Sequence, residues 1–158
     1  MSISFRPITE SDLPFLSKLY ASTREQEMAV LPWTTAQKVT FVKMQFNAQH
    51  KFFKQEFNNA EFNIVLKNDV AIGRMYVERR ENEIRIIDVT LMPDYRGQGI
   101  GQILMKSLLD ESAGSEKPVT VNIEKDNPAM SFYERFGFEY VEDQGVYQLI
   151  RWSAANET

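Results

Sequence analysis

The sequence contains no cysteine and only one histidine, His50. The first absence removes disulfides, thiolate metal centres and a cysteine nucleophile together. The second leaves an imidazole-type metal site without partners, and no Asp or Glu spacing accompanies His50 as ligands would require. No metal is expected, and His50 reads as a partly buried, hydrogen-bonded side chain. Basic residues are neither in excess nor gathered: 18 Lys and Arg stand against 22 Asp and Glu, a formal net charge of −4. Nucleic acid and an anionic membrane are therefore not expected partners, whereas a small cationic or amine substrate fits. No apolar run approaches the ~20 residues of a membrane span, and the opening MSISFRPITESDLPF lacks the basic and apolar regions of a leader. The expectation is a soluble, cytoplasmic protein. Proline and glycine number only 6 and 7, and no low-complexity linker divides the 158 residues. One domain is expected over 1–152, with a short tail at 153–158.

What is present is a close succession of periodic segments. Ile3 to Pro7 alternates as a strand does. Thr9 and Asp12 form a capping signal ahead of a helix carrying Leu13, Leu16, Leu19 and Tyr20. Thr34 and Gln37 repeat that signal before a long helical segment reaching about Phe57. This segment has two apolar stripes, Val39, Val42, Phe46, Phe53 and Phe57 on one side and Phe41, Met44, Ala48 and Phe52 on the other, so it needs cover on both. From Glu61 the period becomes two. A strand through Phe62, Ile64 and Leu66, a turn at Lys67-Asn68-Asp69 and a partner strand from Val70 to Glu78 predict a hairpin. A third strand follows from Ile84 to Met92. A helix through Ile103, Leu104, Ser107 and Leu108 is expected to break at Ala113-Gly114-Ser115. Then come a strand from Val119 to Ile123, a helix from Pro128 to Phe136 stopped by Gly137, and two last strands. The order β-α-α-β-β-β-α-β-α-β-β predicts an α/β mixed sheet with helices on both faces.

The most informative stretch is Asp88-Val89-Thr90-Leu91-Met92-Pro93-Asp94-Tyr95-Arg96-Gly97-Gln98-Gly99-Ile100-Gly101. A strand enters a turn with three alternating glycines, and a helix begins there. Helix N-termini offer unpaired N–H groups and positive potential, so such a junction can hold a pyrophosphate, with Arg96 adding a fixed positive charge. The spacing is Gly-x-Gly-x-Gly, which is neither a dinucleotide fingerprint nor a P-loop.

Arg96-Gly97-Gln98-Gly99-Ile100-Gly101 resembles the Arg/Gln-x-x-Gly-x-Gly/Ala motif of the GNAT superfamily of acyl-CoA N-acyltransferases. Asn127-Pro128-Ala129-Met130-Ser131-Phe132-Tyr133-Glu134-Arg135-Phe136-Gly137-Phe138 resembles that family's second motif. In outline the resemblance runs from Ile3 to Trp152, and it is weakest over Arg24 to Asn59. It implies a GNAT-like fold, a mostly antiparallel sheet with one splayed parallel strand pair, and acetyl-CoA as donor. It further implies that the Leu91 N–H faces the thioester carbonyl, that Met92 holds the pantetheine arm, and that the amides from Arg96 to Gly101 hold the pyrophosphate. Asn127 and Ala129 would bind the cofactor, and Tyr133 would act as the acid that protonates the departing thiolate.

An attacking amine must be neutral, so a base is needed. Asp88 is the nearest carboxylate, although in a regular strand Arg85, Ile87, Val89 and Leu91 share a face and turn Asp88 away unless a bulge intervenes. Glu78 and Glu124, near strand ends, are further candidates. Glu25, Glu27 and Trp33, with Met28 and Phe41, belong to the region that would form the acceptor pocket. The expected activity is N-acetylation of a small-molecule or peptide amine through one ternary complex. Two other readings are a catalytically silent acyl-CoA-binding module and a homodimer in which Phe41 and Phe52 bury against a second copy.

Overall fold

The computed structural model describes residues 2–154. Its strands and helices are β1 (Ile3–Pro7), α1 (Leu13–Ala29), α2 (Thr35–Glu56), β2 (Glu61–Lys67), β3 (Val70–Arg79), β4 (Ile84–Leu91), α3 (Ile100–Ser115), β5 (Val119–Glu124), α4 (Met130–Arg135), β6 (Glu139–Gln144) and β7 (Tyr147–Trp152). The expected order is the observed one. Seven strands form a mixed sheet in the order β1-β2-β3-β4-β5-β7-β6, mostly antiparallel, with β4 and β5 parallel. No helix among the described residues is long and apolar enough to cross a membrane. By contact density the chain forms two units, one of residues 2–75 with Val89–Arg96 and the other of Tyr76–Asp88 with residues 97–154.

In the first unit, β1 runs antiparallel to β2 from Ile3↔Lys67 to Pro7↔Asn63. Asn68 and Asp69 turn the chain into β3 with φ of 50° and 68°, a left-handed geometry that Asn and Asp tolerate better than most residues. At the entry to α1, Asp12 accepts from the Thr9 N–H at 2.8 Å and from both terminal nitrogens of Arg6 at 2.8 and 2.7 Å. At the entry to α2, Thr34 Oγ1 accepts from the Gln37 N–H, and Gln37 Oε1 accepts from the Thr34 N–H. Each cap satisfies amides that a helix start leaves unpaired. Leu16 and Tyr20 of α1 meet Val42 and Phe46 of α2 and Ile64 of β2 in the core, with Tyr20 edge-on to Phe46 at 6.0 Å.

The second unit packs α3 through Ile100, Leu104, Met105, Leu108 and Leu109. The helix ends at Ser115, the last residue of the expected break at Ala113-Gly114-Ser115. It continues through Gly114 and stops where Glu116 takes φ 58° and returns its N–H to Ser112 O. One glycine costs a helix only about 1 kcal/mol, and the buried Ser112 hydroxyl bonds the Lys117 carbonyl to hold that end. β5 pairs antiparallel with β7 over its full length, from Val119↔Trp152 to Glu124↔Tyr147. Its parallel register with β4 covers only Ile84↔Val119 to Ile86↔Val121. β4 goes on through Ile87 and Asp88, so the two strands part where their C-terminal halves begin.

The Arg6–Asp12 fork holds the Asp12 carboxyl down at about 2, mainly through the Arg6 hydrogen bonds, with burial opposing and the Thr9 amide assisting. The folded value is below the unfolded one, so this contribution is complete above the ordinary carboxylate range and is lost as pH falls towards 2. Asp12→Asn should cost on the order of 2 kcal/mol at neutral pH. It should also flatten the stability profile between about pH 4 and 2, as measured by urea melts across that window.

Candidate active site

The site is built on an irregularity in β4. At the β3–β4 turn the Arg80 N–H donates to Glu83 O at 2.8 Å, so these two residues oppose each other. Towards the other end of the pair, the Met92 N–H donates to Ile72 O at 2.8 Å. From Ile72 to Arg80 is eight steps along β3, and from Glu83 to Met92 is nine along β4. β4 therefore contains one surplus residue, a β-bulge. The buried and half-buried alternation of Ile84, Arg85 and Ile86 is lost from Ile87 to Leu91, which locates the irregularity in that stretch.

The bulge corrects the expectation that Arg85, Ile87, Val89 and Leu91 share one face, because an extra residue shifts the alternation. It also changes what Leu91 can do. In a regular register Leu91 would bond Ile72; here Met92 makes that bond, and the Leu91 main chain points to the opposite edge, since N–H directions alternate along a strand. Its carbonyl is met there by Arg96 Nε at 3.0 Å.

Gly73 of β3, which the sequence reading did not single out, lies opposite this stretch. A Cβ at Gly73 would stand 2.3 Å from Thr90 O and 2.9 Å from Leu91 Cδ2. Only a hydrogen fits. A lone glycine inside a strand pattern is the signal that could have revealed it.

Beyond β4, Pro93–Tyr95 forms a 3-10 turn, and the Tyr95 N–H returns to Met92 O at 2.9 Å. Both main-chain groups of Met92 thus have intramolecular partners. The Arg96 N–H donates to Pro93 O, which removes it from the run of amides expected to face an anion. Gly97 and Gly99 have φ of 72° and 82° with open space where a Cβ would be, so the turn needs glycine for its dihedrals and leaves the backbone approachable. α3 then starts at Ile100 with no side-chain cap and no acid in its first turn. Gly101 lies inside the helix against the Phe132 ring, 3.5 Å from where its Cβ would be.

Tyr133 is buried on α4 between Phe132 and Phe138, with ring centroids 5.7 and 5.2 Å away. Burial pushes its phenol well above the ordinary tyrosine value, and the charge of Asp88 pushes it further. The structure thereby brings Asp88 and Tyr133, expected as base and acid, within electrostatic reach. Asn127 Oδ1 accepts the Ala129 N–H at 2.8 Å, so these two residues are engaged in shaping the entry to α4.

A model of the acetyltransferase (GNAT) domain matches residues 25–154. The chain belongs to the GNAT acetyltransferase family. It is 35% identical over 89 residues to mouse (Mus musculus) cysteine-rich protein 2-binding protein, covering 52% of this chain and 11% of that one. It is 30% identical over 105 residues to zebrafish (Danio rerio) N-alpha-acetyltransferase 50, covering 61% and 62%. The chain thus spans less than two thirds of these relatives. Among solved structures, PaiA N-acetyltransferase from Thermoplasma acidophilum in complex with coenzyme A superposes with a TM-score of 0.70. That match covers 97% of this chain and 99% of that one at 16% identity, and it shows the shared fold.

Other candidate residues of this GNAT domain lie in different settings. Glu78 is buried and paired with Arg80 at 2.6 Å. Arg80 also holds Glu83, which accepts from the Thr120 hydroxyl and from Arg85, a network the sequence reading did not identify, although only Thr120 comes from a distant segment of the chain. Glu27 is paired with Arg24 on the surface of α1, and Glu25 is exposed there. Trp33 stands edge-on to Phe41 at 5.1 Å, and Glu124 is exposed at the end of β5. His50 stacks on Phe46, and burial, then Lys54 and Arg74, holds it below the ordinary histidine value. Among the described residues no three His, Cys, Asp or Glu side chains gather as a metal would require.

The Gly73 contact can be tested against a control. Gly73→Ala should destabilise by roughly 1–3 kcal/mol as Thr90 and Leu91 are forced aside. Gly114→Ala, a helical glycine with open space, should be neutral or stabilising by up to about 1 kcal/mol. Denaturant melts of the two variants give the comparison.

Proposed function

We propose that the protein transfers an acetyl group from acetyl-CoA to a primary amine of a small molecule or peptide, by direct attack in a ternary complex. Residues 1–152 would act as one catalytic domain in the cytoplasm. The observation that carries this reading is the bulge in β4, which turns the Leu91 amide away from β3, a few residues ahead of an uncapped, glycine-opened helix start.

In this reading the amides from Gly97 to Gly101 hold the pyrophosphate, at the positive end of α3 and free of any acid in its first turn. Arg96, tethered through Nε to Leu91 O, contributes positive charge beside them. Leu91 donates its N–H to the thioester oxygen as negative charge develops there, a contribution of about 3–4 kcal/mol in comparable sites. The amine lone pair forms the C–N bond, the C–S bond breaks, and the Tyr133 phenol gives its proton to sulfur.

A raised phenol suits this role in one respect: it stays protonated throughout the neutral range. The burial that raises it would equally raise the proton affinity of a thiolate released beside it. Asp88 takes the ammonium proton, directly or through water, and can return it to the tyrosinate. The net change is then one proton moved from nitrogen to sulfur, with both residues restored.

Two substitutions test the reading. Gly99→Glu places a carboxylate at the anion site and should abolish acetyl-CoA binding by calorimetry; wild-type affinity would remove the site. Tyr133→Phe should lower kcat by about 10²-fold or more while leaving acetyl-CoA affinity within about threefold. Equal kcat values would take the acid role from Tyr133.

A further inference from the structure

α2 buries one face through Val42 and Phe46, and its opposite face is apolar and open. Met44 is 63% exposed and Phe52 52%. Met44, Ala48 and Phe52 recur at four-residue spacing and so form one row along the helix, with Phe41 beside its start. At the N-terminal end the row opens into a groove of about 490 Å³ lined by Trp33, Ala36, Gln37, Thr40, Phe41 and Met44. The groove and the row together run along most of a 22-residue helix, about 33 Å long. The two-sided apolar pattern read from the sequence is therefore covered on one side only by this chain's described residues.

The charges around the row indicate what covers the other side. α2 contains Lys38, Lys43, Lys51 and Lys54 against the single acid Glu56, the reverse of the −4 balance of the whole chain. Lys43, Lys51 and Lys54 are exposed, and no ion pair among the described residues takes them up. These three lysines lie along one edge of the row, and a second copy packed antiparallel on the same face would bring the two lysine edges together, which like-charge repulsion opposes. A partner with the opposite sign would be drawn to them.

We propose that this face of α2 docks an amphipathic helix of a partner protein, one that presents large apolar residues along one side and Asp or Glu at its flanks. Such a helix would lay its apolar row along Met44, Ala48 and Phe52, set one large side chain into the Trp33–Met44 groove, and meet the lysines with its acids.

The test uses three synthetic helices, each about 15 residues long, sharing one Leu/Phe row and differing only in Glu, Gln or Lys at the flanks. Anisotropy of labelled peptides against the full chain reads the binding. The Glu-flanked helix should bind about tenfold or more tighter than the other two, and lose affinity severalfold between about 0.05 and 0.3 M salt. Met44→Asp, Met44→Gln and Phe52→Gln should each weaken it about tenfold with unchanged circular dichroism, as expected for exposed anchors of an interface. If Met44→Asp does not fold, the two glutamine variants decide. Equal binding of the three peptides, or none by the Glu-flanked one, overturns the proposal. A concentration-dependent dimer abolished by Met44→Gln also overturns it and assigns the face to a second copy.

Discussion

The main-chain chemistry of β4 depends on one surplus residue that has to be accommodated against β3. Hydrogen bonding along a strand alternates sides, so every residue's donor direction follows from the register set at the turn. With the register set by Arg80 and Glu83, Leu91 would bond Ile72. The surplus residue gives that bond to Met92 and turns Leu91 to the other edge. The accommodation is possible because β3 has glycine at 73, where the Thr90 carbonyl comes too close for any side chain.

Polar groups in the second unit are placed by a different constraint, the cost of burying charge. Glu78, Glu83, Arg80, Arg85 and Thr120 lie at the turn end of β3 and β4 and at the start of β5, where each carboxylate meets a guanidinium or a hydroxyl. Paired in this way, buried charges are tolerable. Tyr133 shows the opposite solution: its burial is compatible with a neutral phenol, and the nearby negative Asp88 reinforces neutrality. A group kept protonated by its surroundings is suited to donate and unsuited to serve as a resting base.

Much of this organisation was legible in the residues. The two capping boxes, the left-handed turn at Asn68 and Asp69, the glycine stop at Gly137 and the period change after Glu61 each follow from interactions within a few residues. The two motifs pointed to the family for the same reason, since the amides, glycines and phenol of each lie close together in sequence. The end of α3 was legible too: the expected stop at Ala113-Gly114-Ser115 contains the helix's last residue, Ser115, while Gly114 itself stays helical at a cost of about 1 kcal/mol.

The sequence by itself determined the elements, their order and the glycine-opened helix start, because these depend on local backbone preference and on apolar period. Only the tertiary structure decided the register of β4, the meeting of Glu83 with Thr120, the proximity of Asp88 to Tyr133, and which stripe of α2 is buried. Each of these depends on which residue of a distant segment lies opposite. A one-residue shift in pairing leaves composition, period and motif spacing unchanged while reversing the direction of every donor beyond it.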